Sequence, residues 1–416
     1  MNQSAADAGT PEHIAPLPRI SIQAFCESPE LAASIQNSTA DRRMLKTQVK
    51  VKRGGAPAAV EAYRSSPTPN LIVVEFSGDR NGLLENLDAL SASCDAGTKV
   101  IVAGKVNDII LYRELIARGV SEYIVAPFSE IEFIRTVANL YHAPGAAAVG
   151  RVIAVMGAKG GAGASIVSHN LAWSIARSLQ SSTVLLDMDL AFGTASLDFN
   201  QDPPQGIAEA VSAPERLDTN LVERLLSKCT DNLSMLAAPA VLEKNYDFEE
   251  GAFDNLIDIL RGTTPNIILD VPHVWSRWSR RMLVGADEVI IVAQPDLASL
   301  RNAKNILDVM RTTRVHDAKP RLVLNTVGML KRPEIAAADF MKAVDVDTAT
   351  LIPHDAKLFG TAANNGQMIG EVEAASKIAE TFNELARLVT GRSAAPVKVK
   401  RNMLEPLMAR FARKRA

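Results

Sequence analysis

The feature that most limits the fold of this 416-residue chain is a strand–helix alternation that occurs twice. In residues 19–141 the runs "RISIQAF", "KTQVKVKR", "NLIVVEF", "TKVIVAG" and "SEYIVAP" are rich in Val and Ile and bounded by turn residues, the pattern of strands. Between them, "SPELAASIQNS", "APAAVEAYRSS" and "DIILYRELIARG" repeat apolar residues three and four apart, the spacing of one helix face. Five such units predict a doubly wound α/β domain with a parallel sheet. A polar leader, 1–18, precedes it, and the Pro- and Gly-containing "HAPGAAAVG", 142–150, reads as a linker.

A larger alternation follows over 151–390. Strands are expected at "RVIAVMG", "STVLLDMD", "NLSMLAAP", "NIILDVP", "EVIIVAQP", "PRLVLNTV" and "ATLIP", with helices at 166–180, 250–261, 297–314 and 373–390. This predicts a second α/β domain with a mostly parallel sheet. Residues 391–416 form a basic tail with eight Lys/Arg against one Glu, a net charge of +7 that leaves −9 for the rest of the chain. An acidic body with a basic tail argues against a surface that binds nucleic acid throughout.

Composition excludes several classes. Aromatic residues are 5% of the chain, too few for an extended base-stacking platform. Cys26, Cys94 and Cys229 are far apart and form no CxxC pair, which argues against a zinc site or disulfide framework and fits a reducing cytoplasm. The N-terminus has no basic segment leading into an apolar core, so it does not read as a signal peptide. No apolar run approaches the ~18–20 residues needed to span a bilayer. The expectation is a soluble, cytoplasmic protein.

Within the second domain, "VIAVMGAKGGAGASIVSHNLAW", 152–173, combines a strand, a glycine-rich loop and a helix. Glycines let backbone N–H groups turn onto phosphate oxygens, and the helix N-terminus adds a favourable dipole. The ordinary P-loop pattern G-x-x-x-x-G-K-[ST] is broken here. Ala158 stands at its first glycine, and Ala164 stands where the lysine before Ser165 is expected. The loop does contain Lys159, which reads either as a functional cation or as a solvated loop charge.

The first domain resembles a response-regulator receiver that lacks the receiver's chemistry. Strand one is followed by Cys26 and Glu27, strand three ends in Glu75, and Ala126 before Pro127 occupies the position where a lysine is expected. Glu27 and Glu75 therefore read as ordinary strand-end carboxylates, in a docking or dimerisation module that is not phosphorylated.

The second domain resembles the MinD/ParA/Soj family, whose deviant Walker A motif reads K-G-G-x-G-K-[ST]. Lys159 matches the family's signature lysine and Ala164 departs from its second one. The resemblance implies ATP and Mg²⁺ as ligands. Gly160, Gly161, Ala162, Gly163, Ala164, Ser165 and Ile166 would form the phosphate cradle, and Lys159 would reach a partner's phosphates across a nucleotide-sandwiched homodimer. "LLDMDLAFGTASLDF" resembles the switch region, in which Asp187 approaches the metal and Asp189 orients the attacking water. An alternative reading makes this carboxylate pair a helix-capping feature. "NIILDVPH" resembles the Walker B strand and delivers Asp270 to the metal, which Ser165 also holds. Asn325 in "LVLNTVGM" would read the adenine edge, and the loop from Ile352, with Pro353 and Asp355, would close over the base.

The domain order, with "DMDLAFGTASLD", "PDLASLRNAKNILD" and "LFGTAANNGQ", is similar to the CpaE/TadZ subfamily of polar localisation ATPases of Tad (Flp) type IV pilus assembly. That resemblance implies pilus-secretion components as partners and placement at a cell pole. Ala164 removes the in-loop cation, so ATP-dependent dimerisation with slow or negligible hydrolysis is expected. Alternatives are a non-hydrolysing scaffold and a ParA-like DNA-partitioning ATPase, against which the acidic body argues. In the tail, Met403, Leu407, Met408 and Phe411 share a helical face opposite Arg410, Arg413, Lys414 and Arg415. It reads as a short inner-membrane contact, a solvated tail or a partner-binding segment.

Overall fold

The computed structural model of the chain describes residues 14–141, 149–212, 214–239 and 247–392. The leader through residue 13, the linker segment 142–148 and the tail beyond 392 lie outside the described residues.

The first sheet contains β1 (Ser21–Cys26), β2 (Gln48–Arg53), β3 (Leu71–Glu75), β4 (Lys99–Gly104) and β5 (Glu122–Val125). They run parallel in the order β2-β1-β3-β4-β5. Helices α1 (Pro29–Ser38), α2 (Gly55–Tyr63), α3 (Arg80–Ser91), α4 (Ile109–Ala117) and α5 (Glu130–Tyr141) link and cover the strands. Central β3 is buried along its whole length, whereas edge strand β2 turns Lys50 and Lys52 to solvent. Charges on an open edge discourage pairing with another chain.

The second sheet contains β6 (Arg151–Gly157), β7 (Thr183–Asp187), β8 (Ser227–Lys228), β9 (Leu233–Leu236), β10 (Asn266–Val271), β11 (Glu288–Ala293), β12 (Arg321–Val327) and β13 (Ala349–Pro353). Its order is β13-β12-β11-β6-β10-β7-β9-β8, parallel except for the β8–β9 pair. Between β6 and β10 lie α6 (Ala164–Ser178), α7 (Ala195–Asp198), α8 (Ile207–Ser212), α9 (Thr219–Leu225) and α10 (Asp254–Thr263). Then follow α11 (Arg277–Gly285), α12 (Leu297–Thr313), α13 (Ala337–Val344), α14 (Ala356–Asn365), α15 (Ile369–Val372) and α16 (Lys377–Thr390).

The seven expected strands are all present, and the two-residue β8 is an addition too short to leave a sequence pattern. The expected helix 166–180 instead spans Ala164–Ser178, because the chain turns at Gly163 with a φ of +89° and the helix starts at the next residue. Along β6, Val152, Ala154 and Met156 join one core while Ile153 and Val155 join the other. That period of two divides helices between the faces. Strand order reverses beside β6, so a crevice opens at its carboxyl end, where ligands bind in such sheets. No helix among the described residues is long and apolar enough to cross a membrane.

In the first domain Glu75 is fully engaged. Its Oε2 accepts from the backbone N–H of Glu27 at 2.7 Å and Ser28 at 2.8 Å, and its Oε1 accepts from the Ser28 hydroxyl at 2.7 Å. Glu27 accepts from the Ser77 N–H at 3.1 Å. Burial, assisted by the charge of Glu75, pushes the Cys26 thiol up to about 12. The carboxylates therefore staple the strand ends together. Incubation with [³²P]acetyl phosphate is expected to leave the protein unlabelled, and label recovered on Glu75 would contradict this assignment.

The two sheets are joined by a buried ionic seam. A 3-10 turn, Arg42–Met44, presents Arg42 to Asp287 at 3.1 Å and to Asp317 at 2.6 Å, all with side chains at most 6% exposed. Arg43 adds contacts to Asp41 at 2.9 Å and Asp317 at 2.5 Å. Asp287 also meets Arg261 at 2.8 Å and accepts from the Val152 N–H at 2.9 Å, at the start of β6. Burial raises the Asp317 pKa, but Arg42 outweighs it and the net value falls. The contribution of Asp317 is therefore complete above the ordinary aspartate range and is lost as pH falls through the lowered value. Removing one partner of a buried pair strands the other charge, so Arg42→Ala is expected to cost about 3–5 kcal/mol, measurable as a lower urea midpoint.

Candidate functional site

The loop at the carboxyl end of β6 is shaped by two left-handed glycines, Gly161 at φ +76° and Gly163 at φ +89°. A Cβ on Gly163 would lie 2.3 Å from the Asn325 amide nitrogen, so only glycine fits there. Gly160 stands open at the tip, and Ala162 is buried beneath the loop. Ala164, Ser165 and Ile166 make the first turn of α6, and Ala164 packs against the apolar core. Asn170 anchors this turn by donating to the Ile166 carbonyl at 2.9 Å.

Two buried carboxylates face this loop. Asp187 ends β7, and in the parallel register it lies opposite Asp270 on β10. Burial, and next the charge of Asp270, raise the Asp187 pKa. Two adjacent buried acids favour a cation between them. Ser165, Asp187 and Asp270 each carry oxygen atoms, the donor type that suits Mg²⁺. Asp187 also accepts from Asp189 N–H at 3.2 Å and Ala195 N–H at 3.0 Å. Gly193 must be glycine, because a Cβ there would lie 2.4 Å from the Asp187 carboxylate. Asp189 accepts from the Phe192 N–H at 3.1 Å, within its own loop. The capping alternative thus describes part of what these acids do.

Lys159 is not a free loop charge. Its Nζ lies 2.6 Å from Asp296, the N-cap of α12, whose other oxygen accepts from the Ser299 N–H at 2.8 Å. Burial opposes ionisation of Asp296, but Lys159 and Ser299 outweigh it and lower its pKa. Gln294 donates to the Gly161 carbonyl at 3.1 Å. Asn325 donates to the Ala162 carbonyl at 2.9 Å and accepts from the Thr326 N–H at 2.9 Å. In this arrangement its amide braces the loop. Pro353 ends β13, and Asp355 caps α14 by accepting from the Leu358 N–H at 2.9 Å.

Sequence reasoning missed three neighbours. His169, buried on α6, lies 2.7 Å by Nδ1 from Asp198 and 3.3 Å by Nε2 from Asp270. The second contact has ion-pair distance but not hydrogen-bond alignment. Burial opposes the imidazolium, yet the two carboxylates outweigh it and raise the His169 pKa. His273 Nδ1 lies 2.8 Å from the Gly157 carbonyl. Asp296 was the most detectable of the three, since "PDLASL" is an N-cap signal; a buried histidine on a helix face leaves none. Around the crevice Phe192, Leu197, Val274, Trp275 and Leu297 are all at least half exposed. They follow β7, β10 and β11, so they share the loop's edge of the sheet.

Comparisons with known proteins find relatives of this chain. A family profile described as "AAA domain" matches residues 150–323. The septum site-determining protein MinD of Helicobacter pylori is 26% identical over 277 residues, covering 63% of this chain and 99% of that protein. A ParA family ATPase from Chlorobium tepidum is 25% identical, covers 57% of this chain and 98% of its own, and superposes with a TM-score of 0.52. The pilus assembly protein CpaE from Caulobacter crescentus is 48% identical, covering 32% of this chain and 100% of that one, with a TM-score of 0.31. Sequence identity along the whole of that relative carries the relationship. The chain belongs to the CpaE/TadZ family, within the MinD/ParA superfamily of P-loop proteins.

Proposed function

We propose that this chain is an ATP-binding localisation factor for Tad/Flp pilus assembly that dimerises through the nucleotide and hydrolyses it slowly or not at all. One observation carries the reading: the loop's only cation, Lys159, is held at its rim by Asp296, while the position inside the cradle is Ala164. A site so arranged would take its positive side chain from a partner subunit. The backbone N–H groups of Gly160–Ile166 and the start of α6 would hold the phosphates. Ser165, Asp187 and Asp270 would hold Mg²⁺, which supplies charge neutralisation at the phosphoryl oxygens. Asp189 would orient a water, while Asn325, Pro353 and Asp355 would border the base. Lys159, released from Asp296, would reach the partner's phosphates.

The exposed Phe192, Leu197, Val274, Trp275 and Leu297 support burial of this edge by a second copy. The pilus role rests on the kinship with CpaE, and its partners would be components of the pilus secretion machinery. We place the protein in the cytoplasm or at the inner membrane near a pole, with the basic tail as the membrane contact. Ala164 specifically favours a second reading, a scaffold that binds ATP without turnover.

Native mass spectrometry is expected to show monomer without nucleotide and dimer with Mg-ATP, and Lys159→Ala is expected to stay monomeric. A Lys159→Ala protein that dimerises like the parent would refute the cross-subunit role. Restoring the in-loop cation with Ala164→Lys should raise ATP affinity or turnover roughly tenfold or more, given the worth of one preorganised charge at such a site. Unchanged binding and turnover, followed with a fluorescent ATP analogue and phosphate release, would mark the site as one that no longer uses phosphates.

A further inference from the structure

The buried His169 lies outside the motifs that define the nucleotide site, yet it touches two of its parts. It sits on α6, five residues beyond Ala164 and more than one helical turn inside the domain. One ring nitrogen lies 2.7 Å from Asp198 and the other 3.3 Å from Asp270. The ring is fully buried and packs against Phe199 with centroids 5.8 Å apart. Among the described residues it is the one basic side chain within 4.0 Å of the Asp270 carboxylate.

Asp198 is the last residue of α7, the short helix that follows the Asp187–Gly193 loop. The first residue of α7, Ala195, donates its N–H to Asp187. The helix is thus tied at its start to one buried acid and at its end, through His169, to the other. Its outward side carries the exposed Leu197, and Phe192 lies just before it. Each end of α7 is therefore one or two contacts away from an acid of the pair.

We infer that His169 is a positioning residue that couples the Asp270 carboxylate to α7, so that occupation of the acidic pair by a divalent cation is transmitted to the exposed Phe192–Leu197 edge. His169 acts through Asp270 and Asp198 and needs no contact with phosphate. The inference rests on the nucleotide-binding reading for its metal end. The α7 end is independent of that reading.

The two ends can be tested separately, because Gln reproduces the reach of Nε2 and Asn that of Nδ1. The measurements are amide hydrogen exchange across 189–199 and the Mg²⁺ concentration giving half-maximal binding of a fluorescent ATP analogue. His169→Asn should keep the exchange of α7 near that of the parent but raise the Mg²⁺ midpoint about tenfold, as loss of a partner behind a metal ligand does. His169→Gln should keep the midpoint near the parent value while α7 exchanges faster and no longer responds to Mg²⁺ and nucleotide. His169→Leu, where it folds, should show both defects. Asn and Gln variants with indistinguishable profiles, or a Mg²⁺ midpoint that stays or falls in His169→Asn, would overturn the inference. If the parent protein binds no nucleotide, the functional reading fails instead. Faster α7 exchange in ligand-free His169→Gln, but not in His169→Asn, would then still support the tether, and its absence would overturn it.

Discussion

Two buried acids placed opposite each other on neighbouring strands dominate the electrostatics of the crevice. Asp187 and Asp270 are in register on β7 and β10, and backbone N–H groups and His169 ease the Coulombic conflict between them without cancelling it. An ordinary P-loop would bring a lysine into the same space, but here Ala164 takes that position and turns its methyl group into the core. The arrangement explains why the surrounding polar groups are so fully engaged. Asn325, Gln294 and His273 each hold a carbonyl of the loop or of its approach strand and so brace the cradle's shape.

The first domain has a receiver-like fold whose central strand-end carboxylate is taken up by local contacts. Glu75 stands at the end of the central strand, where a phospho-accepting aspartate would be expected, but its oxygens are committed to the β1–α1 turn. Its remaining specialised feature is the turn bearing Arg42 and Arg43, which enters the second domain at the amino ends of the strands. The seam therefore meets the sheet at the end opposite the loop, where ion pairing can fasten the domains without crowding the crevice.

Much of this architecture was legible because buried parallel strands leave uninterrupted Val, Ile and Leu runs, as β10 and β11 do. The glycine loop and the two acids were legible because their spacing is local to single strand ends. What escaped depends on distant residues. Nothing near Arg42 in sequence indicates Asp287 or Asp317, and nothing in "SHNLAW" indicates that His169 will meet acids from β10 and α7. The pairing of Lys159 with Asp296 joins residues 137 positions apart, so periodicity could not reveal it. Short helices such as α7 and α15, four residues each, are too brief to establish a period.

Helix α12 has a structural consequence. Its 17 residues extend about 25 Å at the usual ~1.5 Å rise per residue. At one tip Asp296 grips Lys159. Just past the other, Arg314 donates to the carbonyls of Leu283 and Val284, and Asp317 clamps Arg42. The helix therefore spans the depth of the domain, and its two ends are fastened at opposite edges of the sheet, one at the loop's rim and the other at the domain junction.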